Sequence, residues 1–256
     1  MVLKITDICD MGCSHCLSDC TMSSLTPCMS KEILLDSIDF INEMEPITLI
    51  VSGGEPTMHP NFIEYINIIR EKLIHTFAIV IASNGEWVLK NKDLARSVIY
   101  KLDNNGAVVT WQITTDKRYY PRQIDRKDPI WNEPGMFLCE DPIIKVYPIG
   151  RAVKNNLGDD FKCSQCYNFR SISNQQNYNT FKDIIKALEG VNKFCSPCIN
   201  TDGSISLGES SLCKRVGTIY TRKEDLFKNT QTFTCKTCQW INDKMPKEYK
   251  KLIHFE

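Results

Sequence analysis

The chain has 256 residues, with 31 basic side chains against 31 acidic ones and thirteen cysteines. That length exceeds a peptide hormone or knottin and suits one large domain, or one domain with a small appendage. A balanced charge argues against a long nucleic-acid partner, whose phosphates call for a basic excess. The start, MVLKITDICD, has no apolar signal-peptide core, and the longest apolar runs, ITLIV and AIVIA, have strand length. No membrane partner and a cytoplasmic location are expected.

The elements follow in order. VLKIT (2–6) reads as a strand running into a cysteine-rich loop, TDICDMGCSHCLSDC (6–20). SKEILLDSIDFINEM (30–44) has Ser30 as its N-cap and an apolar stripe through Ile33, Leu34, Ile38 and Ile41, so it reads as a helix. ITLIVSG (47–53) is a buried strand broken by Gly53 and Gly54. NFIEYINIIREKL (61–73) is an amphipathic helix, and FAIVIAS (77–83) is a strand ending at Asn84-Gly85. NKDLARSVIYKL (91–102) is helical; AVVTWQIT (107–114) and IIKVYPI (143–149) are strands. Alternating strands and helices imply βα units and a parallel sheet, with chemistry at the carboxyl ends of the strands. The cysteine loop, SGGEP, SNGE and TTDKRYY all fall there.

After about residue 155 the texture changes. Cysteines come in pairs, Gly and Ser rise, and TFKDIIKALEGV (180–191) is the one strongly helical stretch. The expected organisation is a barrel-like unit over 1–155 and a cysteine-rich extension over 156–256.

Thirteen cysteines without a secretion signal point to metal rather than disulfides, and an odd count cannot be fully paired. Cys9, Cys13 and Cys16 form C-x3-C-x2-C. Three thiolates on a tight loop can hold three irons of a [4Fe–4S] cluster and leave the fourth open. A structural zinc site is the alternative, but zinc ordinarily takes a fourth protein ligand.

The cysteine motif after the first strand, with SGGEP after the second, resembles the radical S-adenosylmethionine (SAM) superfamily. The resemblance covers 1–155 and implies an α/β fold, a partial (β/α)6 TIM-like barrel. It implies Cys9, Cys13 and Cys16 as cluster ligands and His15 beside the SAM adenine. Gly53, Gly54 and Glu55 match the segment that receives the SAM amino group, where glycines allow close backbone approach and a carboxylate suits an ammonium. Ser83 and Asn84 match a contact to the methionyl carboxylate, Thr114 and Asp116 a ribose contact. Ordinary turn and cap roles compete with these. YPIGRA (147–152) brings Arg151 toward the SAM carboxylate, with a surface arginine as the alternative. Cys20, Cys28 and Cys139 fall outside the motif; the first two read as buried thiols or as reactive groups near the cluster.

In the extension, Cys198, Gly208 and Cys213 fit C-x9-G-x4-C, with TDGS as a hairpin turn, followed by Cys235 and Cys238. This resembles the twitch domain, a shortened SPASM extension, and implies an auxiliary iron–sulfur cluster on Cys198, Cys213, Cys235 and Cys238. Zinc on Cys163, Cys166, Cys195 and Cys198, a C-x2-C…C-x2-C set, is the alternative.

The family chemistry implied is reductive cleavage of SAM to a 5′-deoxyadenosyl radical, which takes a hydrogen atom from a substrate carbon. An electron donor such as flavodoxin or ferredoxin is expected. No peptide-recognition segment precedes Cys9, which favours a small-molecule substrate: a nucleoside, an amino-acid derivative, or a modified base such as a queuine-like deazapurine undergoing C–N cleavage. A peptide-modifying enzyme is the second reading; a non-catalytic iron–sulfur carrier or zinc module is the third.

Overall fold

The computed structural model describes residues 1–22, 27–100, 106–140, 146, 150–158, 179–188, 196–209 and 215–231. In chain order its elements are β1 (Val2–Thr6), α1 (Lys31–Met44), β2 (Thr48–Gly53), α2 (Phe62–Lys72), β3 (Ala78–Ser83), α3 (Glu86–Lys90), α4 (Lys92–Tyr100), β4 (Val108–Thr115) and β5 (Met136–Glu140). They continue with α5 (Arg151–Lys154), α6 (Phe181–Leu188), β6 (Cys198–Ile199), β7 (Ser204–Ser206), β8 (Arg215–Thr218) and α7 (Lys223–Gln231).

The strands form one eight-stranded sheet in the order β5-β4-β3-β2-β1-β6-β7-β8. β1 to β5 are parallel, each beside its predecessor. This is the stepwise order of part of a (β/α) barrel rather than of a doubly wound sheet. Helical crossovers of one hand put the helices on a single face. Side-chain alternation agrees. Leu3, Ile5, Leu49, Val51, Ile79, Ile81, Val109, Trp111 and Ile113 lie in one buried apolar cluster with the helices. The alternate residues, among them Lys4, Ser52, Gln112 and Thr114, face the other, concave side.

The helices begin where their caps dictate. Ser30 Oγ accepts from Ile33 N at 3.2 Å and starts α1. α1, α2 and α4 fall on the expected stretches. α3 was not expected, being only five residues long, with Val88 buried in the core. β5 was not expected either. Its five residues, MFLCE, mix apolar, thiol and acidic side chains after the Pro134-Gly135 turn, so no apolar run advertises them. The strand expected over 143–149 lies outside the described residues, apart from Val146, which is buried and belongs to no strand.

Beyond residue 155 the described chain joins the same body. β6 pairs parallel with β1, Val2 opposite Cys198 and Leu3 opposite Ile199. β6 and β7 form the expected hairpin, closed by Asn200 N to Ser204 O at 2.8 Å, with Gly203 at φ +76°. Phe181, Ile184, Ile185, Ile199, Ile205 and Leu226 belong to the same apolar cluster as the barrel strands. Among the described residues, no helix is long and apolar enough to cross a membrane.

Trp111 anchors this core. It is fully buried, its Nε1 donates to Ala95 O at 3.1 Å, and its ring lies 5.8 Å from both Trp87 and Phe62. Trp111→Ala is expected to cost about 3–5 kcal/mol of stability in chemical denaturation. A loss below about 1 kcal/mol would mean that the cluster repacks around the gap.

Candidate active site

The carboxyl ends of β1 to β4 converge on the loop that follows β1. The closest approach is backbone to backbone. Gly54 N donates to Thr6 O at 2.7 Å and Glu55 N to Ile8 O at 2.8 Å. A Cβ on Gly53 would stand 2.5 Å from Thr6 O, and one on Gly54 would stand 2.3 Å from Ile8 O. The two glycines are therefore required by the cysteine loop itself.

Glu55 is 3 % exposed and ties β2 to β3. Its Oε1 accepts from Thr57 N, Thr57 Oγ1 and Ser83 Oγ at 3.3, 2.7 and 2.9 Å; its Oε2 accepts from Asn84 N at 2.8 Å. Burial pushes this carboxyl up, while those donors favour the ionised form. Asn84 Oδ1 accepts from Glu86 N at 3.0 Å, a turn contact at the start of α3.

Cys9, Cys13 and Cys16 are free and half-buried. Burial lifts Cys9 to about 11, with Glu55 and Cys16 adding to the rise. Burial lifts Cys13 to about 12, with Cys9 and Cys16 adding to it. Each thiol thus senses another of the set. Cys16 is pulled the other way by a hydrogen bond from Cys20, whose own thiol is pushed up. Cys20 is buried, and its Sγ also lies 4.0 Å from Asp7 Oδ1. Cys28 Sγ stands 3.2 Å from Thr6 Oγ1.

His15 sits against Tyr119 and Tyr120, with ring centroids 5.0 and 5.5 Å away. Burial lowers it to about 4, so the ring is neutral at physiological pH. Its Nδ1 is buried with no hydrogen-bond partner among the described residues. Such an orphan is uncommon in a folded protein and marks a place for an absent donor or acceptor.

Arg151 holds the loop from the other side. Its backbone N donates to Cys16 O at 2.9 Å, Nη1 to Cys13 O at 2.9 Å, Nη2 to Cys20 O at 2.5 Å, and Nε to Asp19 Oδ1 at 3.0 Å. The preceding Gly150 has φ +61°, and a Cβ there would meet Leu17 O at 2.3 Å. The structure thus places Arg151 on the cysteine loop. Asp116 is fully buried, with Oδ1 accepting from Arg118 N and Nε at 2.9 Å and Oδ2 from Arg118 Nη2 at 2.6 Å. These bonds brace the turn after β4. Thr114 Oγ1 meets Tyr120 OH at 2.9 Å.

Of the extension's cysteines, Cys198 is fully buried on the concave side of β6, beside Val2. Cys163, Cys166, Cys195, Cys213, Cys235 and Cys238 lie outside the described residues. Tyr119 and Tyr120, from TTDKRYY, and Ser52, from SGGEP, also line this region, with Lys4 and Glu209, neither of which stood out as a candidate in the sequence. A lysine in the even position of an apolar strand was the available signal for Lys4.

The donor chemistry fits a [4Fe–4S] group on Cys9, Cys13 and Cys16: free thiols on one loop, mutually sensed, next to an orphaned ring nitrogen. Among the described residues no set of three or more His, Cys, Asp or Glu gathers as a single metal ion requires. A cubane asks for less crowding, because each thiolate binds its own iron.

A family model described as the radical SAM superfamily matches residues 3–129. No curated protein matches the chain. Among solved structures, the fold is similar to BtrN in complex with AdoMet and 2-DOIA, at TM-score 0.57 and 8 % identity, covering 98 % of this chain and 88 % of that one. It is also similar to anSMEcpe with bound AdoMet and Cp18Cys peptide, at TM-score 0.53 and 15 % identity, covering 98 % and 84 %. These likenesses speak for the fold, and the family match falls on the half that carries the cysteine loop and Gly53–Glu55: the chain belongs to the radical SAM superfamily of enzymes.

Proposed function

We propose that this enzyme holds a [4Fe–4S] cluster on Cys9, Cys13 and Cys16, binds SAM beside it, and acts on a small molecule. The observation that carries the reading is the backbone pairing of the cysteine loop with Gly54 and Glu55. It puts a three-thiol set and a carboxylate at one strand-end junction. When bound, the cluster and SAM supply one-electron cleavage of SAM and a radical able to take a hydrogen atom from carbon.

The chain's own residues then have definite tasks. The three thiolates anchor iron. Glu55 Oε2, which has one hydrogen-bond donor in the structure, is the acceptor for the SAM ammonium. His15, backed by Tyr119 and Tyr120, offers Nδ1 and a flat face to the adenine. Arg151 and Gly150 keep the loop from opening.

The substrate classes in view are a nucleoside, a modified base such as a queuine-like deazapurine losing a C–N bond, or an amino-acid derivative. The two similar structures hold different second ligands, 2-DOIA in one and a peptide in the other. A small molecule is the reading we favour, in keeping with the buried polar side chains Lys4 and Ser52 on the concave face. For the extension we propose an auxiliary iron–sulfur cluster, with zinc as the alternative; Cys198 beside β1 is its described candidate ligand. A ferredoxin- or flavodoxin-like donor would deliver the electron.

Iron-loaded, dithionite-reduced protein should convert SAM to 5′-deoxyadenosine and methionine, read by liquid chromatography. Absence of both products would sink the enzyme reading. Cys16→Ala should abolish the conversion; unimpaired cleavage would remove Cys16 from the ligand set. Gly54→Ala should push the loop away from β2, lowering cleavage on the order of 100-fold, since displacements of about 1 Å carry that cost. An unchanged rate would mean that the close approach is not needed.

A further inference from the structure

Lys4 and Ser52 are register partners on β1 and β2. They share the concave face, opposite the core residues Leu3 and Val51. Lys4 is 5 % exposed and Ser52 7 %. Polar groups so deep are bonded or paired. Lys4 pairs with Asp7 at the head of the cysteine loop. Ser52 Oγ donates to Glu209 Oε2 at 3.0 Å.

Glu209 comes from the loop after β7, in the extension. Its carbonyl accepts from Ser18 Oγ, in the cysteine loop, at 2.9 Å. One carboxylate therefore reaches from the extension onto the concave face of the barrel, beside the cluster loop. Its Oε2 is engaged. Among the described residues no donor reaches Oε1. Lys4 is paired directly with Asp7, so Glu209 feels Lys4 and the N-terminal ammonium only from a distance, and neither is bonded to its carboxylate among the described residues. Burial pushes the Glu209 carboxyl up, against the hydrogen bond from Ser52 and the distant charges of Lys4 and the N-terminus. A sheltered carboxylate with a free oxygen is stable when a cation or a strong donor completes it.

We propose that Glu209, seated on Ser52, is the substrate-recognising carboxylate of this enzyme and takes the protonated amino group of a small-molecule substrate. The inference rests on the radical SAM reading above. The extension thereby selects the substrate, while the barrel carries the cofactors.

The test uses iron-loaded protein with SAM, and matched probes: D-glucosamine against D-glucose, cyclohexylamine against cyclohexanol, and 1,6-diaminohexane against 1,6-hexanediol. Binding is read by ligand-observed NMR. At least one amine should bind about tenfold or more tightly than its hydroxyl partner, the size of one charge-assisted hydrogen bond. Glu209→Gln should erase that preference and Glu209→Asp keep it, with cluster absorbance unchanged. If Glu209→Gln fails to hold iron, Ser52→Ala carries the test, because it unseats the carboxylate and should weaken the preference. Equal binding of every pair by the wild type, or an undiminished preference in Glu209→Gln, overturns the proposal. Substrate-free SAM cleavage, measured in the same samples, separates the two failures. Cleavage without amine preference removes only this inference; no cleavage removes the radical SAM reading beneath it.

Discussion

The contact between the end of β2 and the loop after β1 sets the geometry of everything around it. Gly54 and Glu55 donate their backbone N–H groups to Thr6 and Ile8, and the approach leaves no room for a side chain on Gly53 or Gly54. The loop is thereby drawn against the sheet at the point where its thiols begin. From the same junction Glu55 reaches sideways to Ser83 and Asn84, so the ends of β2 and β3 become one unit. On the far side, Gly150 and Arg151 close on the carbonyls of Cys13, Cys16 and Cys20. A thiol-bearing loop has no periodic hydrogen bonding of its own, so its shape has to come from outside, and here it comes from both flanks.

The sheet divides labour between its faces. The convex face is sealed by helices over an apolar core. The concave face carries polar residues, some deeply buried and some exposed. The extension contributes to both. Its hairpin covers the edge that β1 would otherwise present, which removes an unpaired strand edge. Its apolar residues join the barrel's core, and its Glu209 crosses to the concave side. The change in sequence texture near residue 155 is thus not a break in the apolar cluster, because Phe181, Ile199 and Leu226 belong to the same packing as Leu3 and Ile41.

Much of this could be read in the sequence, for reasons of pattern. β1 to β4 are short apolar runs ended by turn residues, and α1, α2 and α4 have clear apolar stripes, so local signals and the fold agree. The C-x3-C-x2-C and SGGEP segments were legible because their chemistry is tied to spacing. What was not legible depends on residues far apart in the chain. Nothing local says that Arg151 will bind carbonyls more than 130 residues away. Asp116 was open to a ligand contact or a turn role, and its bonds to Arg118, two residues on, follow from the ease with which a carboxylate at the end of a strand caps the next turn. β5 is too short and too mixed to announce itself. Lys4 and Glu209 acquire meaning only once β1, β2 and the β7 loop are side by side.

The central claim is that Cys9, Cys13 and Cys16 hold a cluster with one iron left open for SAM. Electron paramagnetic resonance of the reduced, iron-loaded protein tests it most directly, recorded with and without SAM. The account predicts a [4Fe–4S]⁺ signal whose shape changes on adding SAM, because the open iron gains a ligand. A cluster signal that SAM leaves unchanged, or no cluster signal at all, would contradict it.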